Sequence, residues 1–333
     1  MRFTQRAVVL AMAAIALLAA LATVPAAATP AAPAGTSPAT APACRVAATI
    51  PVGSFPIGVA ANPRTNAIYV GNSGSQSVSV ISGRTNTVVA TIPVGIAPQA
   101  VAANPRTSTI YVANFETQTV SVISGRTNTV VATIPLGSGA EGVAADPRTN
   151  TIYVSSSPVA VISGRTNTVV ATIPLGVELA GIAANPRTNT IYVVDEAAGT
   201  VSVISGQTNT VVATIAVGGD PFGVAANSRT NTVYVANGSG TVSVISGQTN
   251  TVVATIPVGG DPFAVAANPQ ANTIYVTNAG SNMVSVISGR TNTVVATIPV
   301  GLSPLGVASN PQTKTIYVSN TGDFMVSAIT CRR

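Results

Sequence analysis

PQAVAANPRTSTIYVANFETQTVSVISGRTNTVVATIPLG, residues 98–137, is the stretch that decides the fold. It holds four short runs rich in Val, Ile, Tyr and Thr, which favour β-strands. Asn-Pro, Gly-Arg-Thr-Asn and Pro/Gly clusters separate the runs and favour turns. Four strands in roughly 42 residues are typical of one blade of a β-propeller.

The unit recurs along the chain. All seven tyrosines occupy one place in an Ile/Val-Tyr-Val motif, at spacings of 42, 42, 39, 42, 41 and 42 residues. They are Tyr69, Tyr111, Tyr153, Tyr192, Tyr234, Tyr275 and Tyr317. We predict an all-β, seven-bladed propeller whose first full blade has strands A (58–62), B (67–70), C (77–82) and D (87–92), counted outward from the channel. A fixed place in an apolar strand indicates packing between blades for the tyrosines, rather than a ring of ligands.

The first 43 residues are expected to lie outside the propeller. Residues 1–28 combine Arg2 and Arg6 with an uncharged Ala/Leu/Val stretch and an Ala-x-Ala pattern, which predicts a signal peptide. A retained transmembrane anchor over residues 7–24 is the alternative. Residues 29–43 are almost wholly Ala, Pro, Thr and Ser and predict a disordered linker. The propeller domain is assigned to residues 44–333.

The two ends of that domain are predicted to share one blade. Residues 45–53 match a strand D, whereas residues 326–330 match a strand C, so the first strand completes the last blade and leaves no free sheet edge. In this alignment Cys331 matches Gly83 and Cys44 matches Asn86, the two ends of a tight turn. Such positions lie within disulfide distance, so we predict a Cys44–Cys331 bond. A lipid-modified Cys44 is the alternative.

The Ile-Tyr-Val-x-Asn cores, including Tyr275-Val276-Thr277-Asn278, resemble the YVTN β-propeller repeat family of secreted and surface-layer proteins of prokaryotes. The resemblance covers about residues 45–330. It implies the fold and an exported location, and this family has no shared catalytic residues to carry over. Lactonases and streptogramin lyases have a similar shape, but the lyases rely on a histidine.

Composition excludes several chemistries. The chain has no His and no Trp, which removes imidazole bases, His-bound metals and the strongest aromatic platform. No calcium loop and no phosphate loop is present in the sequence. We therefore expect no catalytic residues, no cofactor and no metal. The alternative is a hydrolase or lyase that uses carboxylates at the channel mouth.

The two ends of the ring differ in sequence. The B–C and D–A loops vary, and we name their end of the ring the variable face; it carries eight of the nine acids and all five phenylalanines after residue 28. A rigid scaffold with irregular loops is typical of a binding protein. The predicted partner-binding residues are Phe55, Phe115, Glu116, Asp195, Glu196, Asp220, Phe222, Asp261, Phe263 and Phe324. A plug at the channel mouth is the alternative role for Phe222 and Phe263.

The A–B and C–D turns form the opposite end, which we name the basic face. After removal of residues 1–28, all 13 basic residues belong to it and the net charge is +4. The candidate residues are Arg64, Arg84, Arg106, Arg126, Arg148, Arg165, Arg187, Arg229 and Arg290. They predict contact with an anionic polymer, or else they only keep an apolar repeat soluble.

These patterns favour a secreted or cell-surface, monomeric, non-catalytic scaffold. The expected partner is a protein or a cell-wall glycan on the variable face, with no specific nucleic acid and no membrane span after removal of the signal peptide.

Overall fold

The computed structural model describes residues 43–332 as seven antiparallel sheets of four strands each. The predicted signal peptide and the predicted linker lie outside these residues, except that Ala43 already belongs to the first strand. One turn of 3₁₀ helix, Ala279–Ser281, interrupts the strands. Within residues 43–332, no helix has the length and apolar character needed to cross a membrane.

The strands follow the predicted A–D order in each blade. Blade 1 contains β2 (Pro56–Asn62), β3 (Ala67–Asn72), β4 (Ser77–Ser82) and β5 (Thr87–Pro93). Blade 2 contains β6 (Pro98–Asn104), β7 (Thr109–Asn114), β8 (Thr119–Ser124) and β9 (Thr129–Pro135). Blade 3 contains β10 (Gly142–Asp146), β11 (Thr151–Ser155), β12 (Val159–Ser163) and β13 (Thr168–Ile173). Blade 4 contains β14 (Leu179–Asn185), β15 (Thr190–Asp195), β16 (Thr200–Ser205) and β17 (Thr210–Ala216). Blade 5 contains β18 (Pro221–Asn227), β19 (Thr232–Asn237), β20 (Thr241–Ser246) and β21 (Thr251–Pro257). Blade 6 contains β22 (Pro262–Asn268), β23 (Thr273–Asn278), β24 (Met283–Ser288) and β25 (Thr293–Pro299). Blade 7 contains β26 (Pro304–Asn310), β27 (Thr315–Asn320), β28 (Met325–Arg332) and, from the start of the chain, β1 (Ala43–Pro51).

The A strands of neighbouring blades contact one another in a closed circle, from β2 through β6, β10, β14, β18, β22 and β26 back to β2. They therefore line the channel. The B and C strands are almost wholly buried, whereas the D strands expose valines such as Val131 and Val170 at the outer rim. Seven blades and all-β architecture are confirmed, although strand A begins two residues earlier than predicted, at Pro56 in blade 1.

Asparagine makes the tight turns possible. Asn66 and Asn86 end the A–B and C–D turns of blade 1 with φ of 52° and 55°, a left-handed conformation that Asn tolerates better than most residues. Asn62 Oδ1 accepts a hydrogen bond from the Arg64 amide at 3.1 Å, which holds the start of the A–B turn. The repeated Asn therefore fixes both turns of the basic face.

The hydrophobic core lies between blades. One cluster joins Tyr69 and Val78 of blade 1 to Ile110 and Val112 of blade 2, and equivalent clusters follow around the ring. Burying an Ile or Val side chain stabilises the fold by about 1.5–3 kcal/mol. The tyrosines are buried in these clusters, which confirms their packing role.

Blade 7 closes as predicted. Strand β1 pairs antiparallel with β28, and Cys44 lies opposite Cys331 with their Cα atoms 4.0 Å apart. The two cysteines form a disulfide bond. A further cluster joins Ile50 and Tyr317 of blade 7 to Ile68 of blade 1 and completes the ring.

Candidate partner-binding face

The loops of the variable face are fixed by backbone hydrogen bonds. In blade 1 the Ser73 amide of the B–C loop donates to the Phe55 carbonyl of the D–A loop at 2.9 Å. The Gly238 amide donates to the Asp220 carbonyl at 2.7 Å in blade 5. Each D–A loop is thus tied to the B–C loop of its own blade, so the side chains between them project from an ordered surface.

Phe55 and Phe324 form the first aromatic pair. Their ring centroids lie 5.1 Å apart at 70°, an edge-to-face contact between blades 1 and 7. Phe324 is 40% exposed, and both residues have a positive φ, of 50° and 57°. Such a backbone is strained for a bulky residue. Phe324 is thus an exposed ring that packs on the half-buried ring of Phe55.

Leu302 is a further exposed apolar residue, in a loop bonded to the one that carries Phe324. It is 42% exposed in the D–A loop of blade 7. The Gly322 amide donates to its carbonyl at 3.0 Å, and its own amide donates to Asp323 Oδ2 at 2.6 Å. Leu302 thus lies beside the loop that carries Phe324. We name Phe55, Phe324 and Leu302 the seam patch, because the two phenylalanines lie at the junction of the first and last blades and Leu302 is bonded to Asp323 beside Phe324.

Phe222 and Phe263 form the second aromatic pair. Their rings stack with centroids 5.3 Å apart and an interplanar angle of 23°. The prediction that they lie in loops was wrong, because each is the second residue of an inner strand, β18 or β22. The corresponding residues of blades 7 and 1, Leu305 and Ile57, are buried. The stack therefore belongs to an apolar arc at the channel mouth.

Phe115 stands apart from both pairs. It lies in the B–C loop of blade 2, and its ring packs against Gly139 in the loop that leads to blade 3. A Cβ atom at Gly139 would come within 2.6 Å of the ring, so only glycine fits there. Phe115 thus holds two neighbouring loops together.

The acidic residues are spread around the face. Asp220 and Asp261 are exposed, whereas Asp195 and Asp323 are half-buried. Asp195 Oδ1 accepts the Ala198 amide at 3.0 Å and so holds its own loop, whereas Asp323 Oδ2 accepts the Leu302 amide and ties the B–C loop of blade 7 to the D–A loop. Glu196 donates its amide to the Glu178 carbonyl at 3.0 Å, and Glu116 is exposed beside Phe115. Within residues 43–332, no group of three or more acidic or cysteine side chains is placed to hold a metal ion.

On the basic face, the inner arginines form a chain of hydrogen bonds. Arg64 Nη1 donates to the Arg106 carbonyl at 3.0 Å, and Arg106 Nη1 donates to the Arg148 carbonyl at 2.9 Å. The same bond runs from Arg148 to Arg187 at 3.2 Å, from Arg187 to Arg229 at 2.7 Å and from Arg229 to Gln270 at 3.2 Å. The outer arginines of the C–D turns, Arg84, Arg126, Arg165 and Arg290, are exposed.

Two features escaped the sequence analysis. The exposure of Leu302 has no signal in the sequence, because an isolated aliphatic residue in a loop forms no pattern, and the same holds for Ile96 and Val177 in other D–A loops. The arginine–carbonyl chain joins residues about 42 positions apart, which only the ring geometry brings together. Its signal in the sequence was the repeated Arg at one place in the A–B turn.

Two open clefts lie between neighbouring blades. One, of about 230 Å³, lies between blades 5 and 6 beside Gln248 and Asn292. The other, of about 330 Å³, lies beside Asp323 and Val300 at the edge of blade 7. The first is smaller than a usual pocket for an organic ligand, about 300–1,000 Å³, and the second is at the lower end of that range.

These features define the class of the protein as a seven-bladed β-propeller with two chemically different faces. No family model and no curated protein matches the chain. A solved structure that it resembles is the hydrazine synthase of Kuenenia stuttgartiensis, at 20% identity and a TM-score of 0.76, with 82% of this chain and 95% of that chain covered. Because 1755 chains of solved structures match, this is a likeness to a widespread fold, and it shows the fold alone.

Proposed function

We propose that this protein is an exported, non-catalytic binding protein whose variable face holds a protein or glycan partner. The seam patch carries the proposal: Phe324 and Leu302 are exposed, Phe55 packs edge-to-face on Phe324, and hydrogen bonds fix the loops that carry them. Grouped apolar side chains at a surface are typical of interaction sites. Aromatic residues are also enriched among the side chains that dominate binding energy.

The carboxylates support a binding role over a catalytic one. Asp195 accepts a backbone amide of its own loop and Asp323 accepts the Leu302 amide of the neighbouring loop, so both hold the binding surface in shape. The disulfide between Cys44 and Cys331 supports an oxidising, extracellular location, as does the leader predicted over residues 1–28. The Tyr-Val-x-Asn repeats support membership of the YVTN repeat family.

The test compares how much partner two immobilised variants bind, each variant having lost two exposed apolar side chains. Phe324→Ser with Leu302→Ser removes the seam patch, whereas Val131→Ser with Val170→Ser removes valines that are 57% and 59% exposed at the outer rim. Immobilised proteins are incubated with cell-wall polysaccharide and, separately, with culture proteins before and after protease treatment. We expect about tenfold weaker capture by the seam variant and unchanged capture by the rim variant.

Loss of capture after protease treatment identifies a protein partner, and capture of the purified polysaccharide identifies a glycan. Equal capture by the seam variant and the original protein contradicts the proposed face. Melting curves of both variants establish that each remains folded.

A further inference from the structure

The basic face is not uniform around the ring. Blades 1–3 carry an arginine at both the inner A–B turn and the outer C–D turn. Glutamine occupies the outer position in blades 4 and 5, and the inner position in blades 6 and 7. The six arginines that form a double row are Arg64, Arg84, Arg106, Arg126, Arg148 and Arg165. We name them the arginine sector.

The inner row of this sector is held in place. Arg64, Arg106 and Arg148 are exposed, and each donates Nη1 to a carbonyl of the next blade at 2.9–3.2 Å. A guanidinium has five N–H donors, so the others remain for a ligand. Fixing the side chain in advance reduces the entropy lost on binding. The row is therefore preorganised.

No exposed acidic side chain of residues 43–332 lies among the arginines of this sector. Asp146 is the acidic residue of this side, and it is completely buried. Its Oδ1 accepts the Arg148 amide at 2.8 Å, so the carboxylate serves the turn. The other eight acids lie at the opposite end of the ring, on the variable face. An anion that approaches the sector consequently meets guanidinium groups from both rows.

We propose that the arginine sector binds a linear phosphodiester polymer through its phosphates, without reading its sequence. A guanidinium fork matches the paired oxygens of a phosphate better than an ammonium group does. The A–B turns of blades 1–3 have one length, and so do their C–D turns, which makes the surface even enough for a strand to cross. The exposed large apolar residues lie in the variable loops or on the outer strands, so this sector offers no side chain for insertion into a bilayer.

Two triple variants with the same change of charge test the proposal. The sector variant is Arg84→Gln, Arg126→Gln and Arg165→Gln, a change that Gln207 and Gln248 already show to be compatible with the turn. The control variant is Arg187→Gln, Arg229→Gln and Arg290→Gln, which leaves the sector intact. The probe is a labelled single-stranded oligodeoxythymidylate, titrated by fluorescence anisotropy over a series of salt concentrations.

We expect the sector variant to bind about tenfold more weakly and to lower the salt slope by about 2, because three phosphate contacts are lost. The control variant is expected to stay close to the original protein. Equal losses in both variants overturn the proposal, since net charge alone then explains binding.

Further measurements separate the other ligands. If sodium polyglutamate of the same length binds as tightly as the oligonucleotide, phosphate is not the preferred anion and the proposal is overturned. Stronger binding to vesicles that contain phosphatidylglycerol overturns the choice of a polymer. The protein could also self-associate, with the variable face of one copy on the basic face of another. Light scattering that shows such association, sensitive to salt and abolished in the sector variant, overturns the proposal in favour of a second copy of the chain.

Discussion

The hydroxyl of Tyr317 donates a hydrogen bond to Asn86 Oδ1 at 2.8 Å and joins blade 7 to blade 1 across 231 residues. Tyr69 and Tyr234 make longer versions of this bond, at 3.5 Å, to Asn128 and Asn292 of the following blade. The asparagines have positive φ and end the C–D turns. One residue pair thus links a turn of the basic face to the core between blades.

In blade 7 the disulfide between Cys44 and Cys331 takes the place of this tyrosine–asparagine bond and of the C–D turn. Cys44 occupies the place that Asn86 has in blade 1, and Tyr275 of blade 6 packs in the cluster that includes both cysteines. The closing blade therefore exchanges a turn and a hydrogen-bond acceptor for a covalent bond between the chain ends.

The disulfide is expected to carry much of the closure energy. We predict no reactive thiol in the unreduced, denatured protein, and a lower melting temperature with all seven blades retained for Cys44→Ser with Cys331→Ser. The bond joins positions 287 residues apart, so chain-entropy models give it about 5 kcal/mol. Thiol labelling and calorimetry measure both effects. Two labelled cysteines, or an unchanged melting temperature, would be the contrary result.

Asp146 is expected to be a weak point of the ring. In five of the other six blades the Asn that ends strand A donates Nδ2 to the next blade, as Asn185 does to Asn231 Oδ1 at 2.8 Å. Asp146 has no such donor, and its Oδ2 and Asn189 Oδ1 are both buried without a partner. We predict that Asp146→Asn stabilises the protein by about 1–3 kcal/mol at neutral pH, as measured by denaturant unfolding.

The reverse change is the control for this prediction. Asn185→Asp removes the donor to Asn231 Oδ1 and should destabilise by a similar amount, at the next junction of the ring. If both changes lower stability equally, the missing hydrogen bond is not what distinguishes blade 3.

Sequence periodicity predicted the blades because each repeat places Tyr and the turn residues at nearly constant spacing. It also predicted closure, because residues 45–53 repeat strand D. The position of Phe222 was missed, since Asp220-Pro221 has the composition of a loop while Pro221 is the first residue of an inner strand. Contacts such as Arg64 with Arg106 depend on the rotation between blades, which spacing alone does not give.

The stack at the channel mouth is expected to matter for stability. Because Phe222 and Phe263 lie in inner strands, each change to Ala should cost about 1–2 kcal/mol of burial. The double variant should reveal a coupling of about 0.5–1.5 kcal/mol. Phe324→Ala, at a ring that is 40% exposed, serves as the control and should cost less. Zero coupling in denaturant unfolding would show that the stack is not a stabilising contact.

The tyrosines are expected to limit stability in alkali. Burial raises the pKa of Tyr111 to about 12 from its ordinary value of 10.0, and burial together with the nearby Asp146 raises the pKa of Tyr153 to about 12. A raised pKa in the folded state means that ionisation favours unfolding. Stability is therefore complete below pH 10 and falls as the pH rises toward about 12. Phenolate absorbance and circular dichroism should change together. Phenolate formation near pH 10 in the folded protein would be the opposite outcome.

Lys314 is expected to suit the space beside Cys331 better than the asparagine that most blades have at this position. It ends the A–B turn of blade 7 with a φ of 55°, where blade 1 has Asn66. In blade 1 a Cβ atom at Gly83 would collide with the Asn66 side chain, and Cys331 supplies a Cβ atom at the equivalent place. We predict that Lys314→Asn lowers the melting temperature, although Asn usually suits a positive φ. Ser108→Asn is the matched control in blade 2, where Gly125 leaves room for the larger side chain. There Asn62 Nδ2 donates to Ser108 Oγ over a long distance of 3.4 Å. The control should raise the melting temperature, because the Asn side chain brings its oxygen nearer to the donor, as in the 2.8 Å bond from Asn104 Nδ2 to Asn150 Oδ1. A rise in both variants would mean that the asparagine's conformational preference outweighs its contact with Cys331.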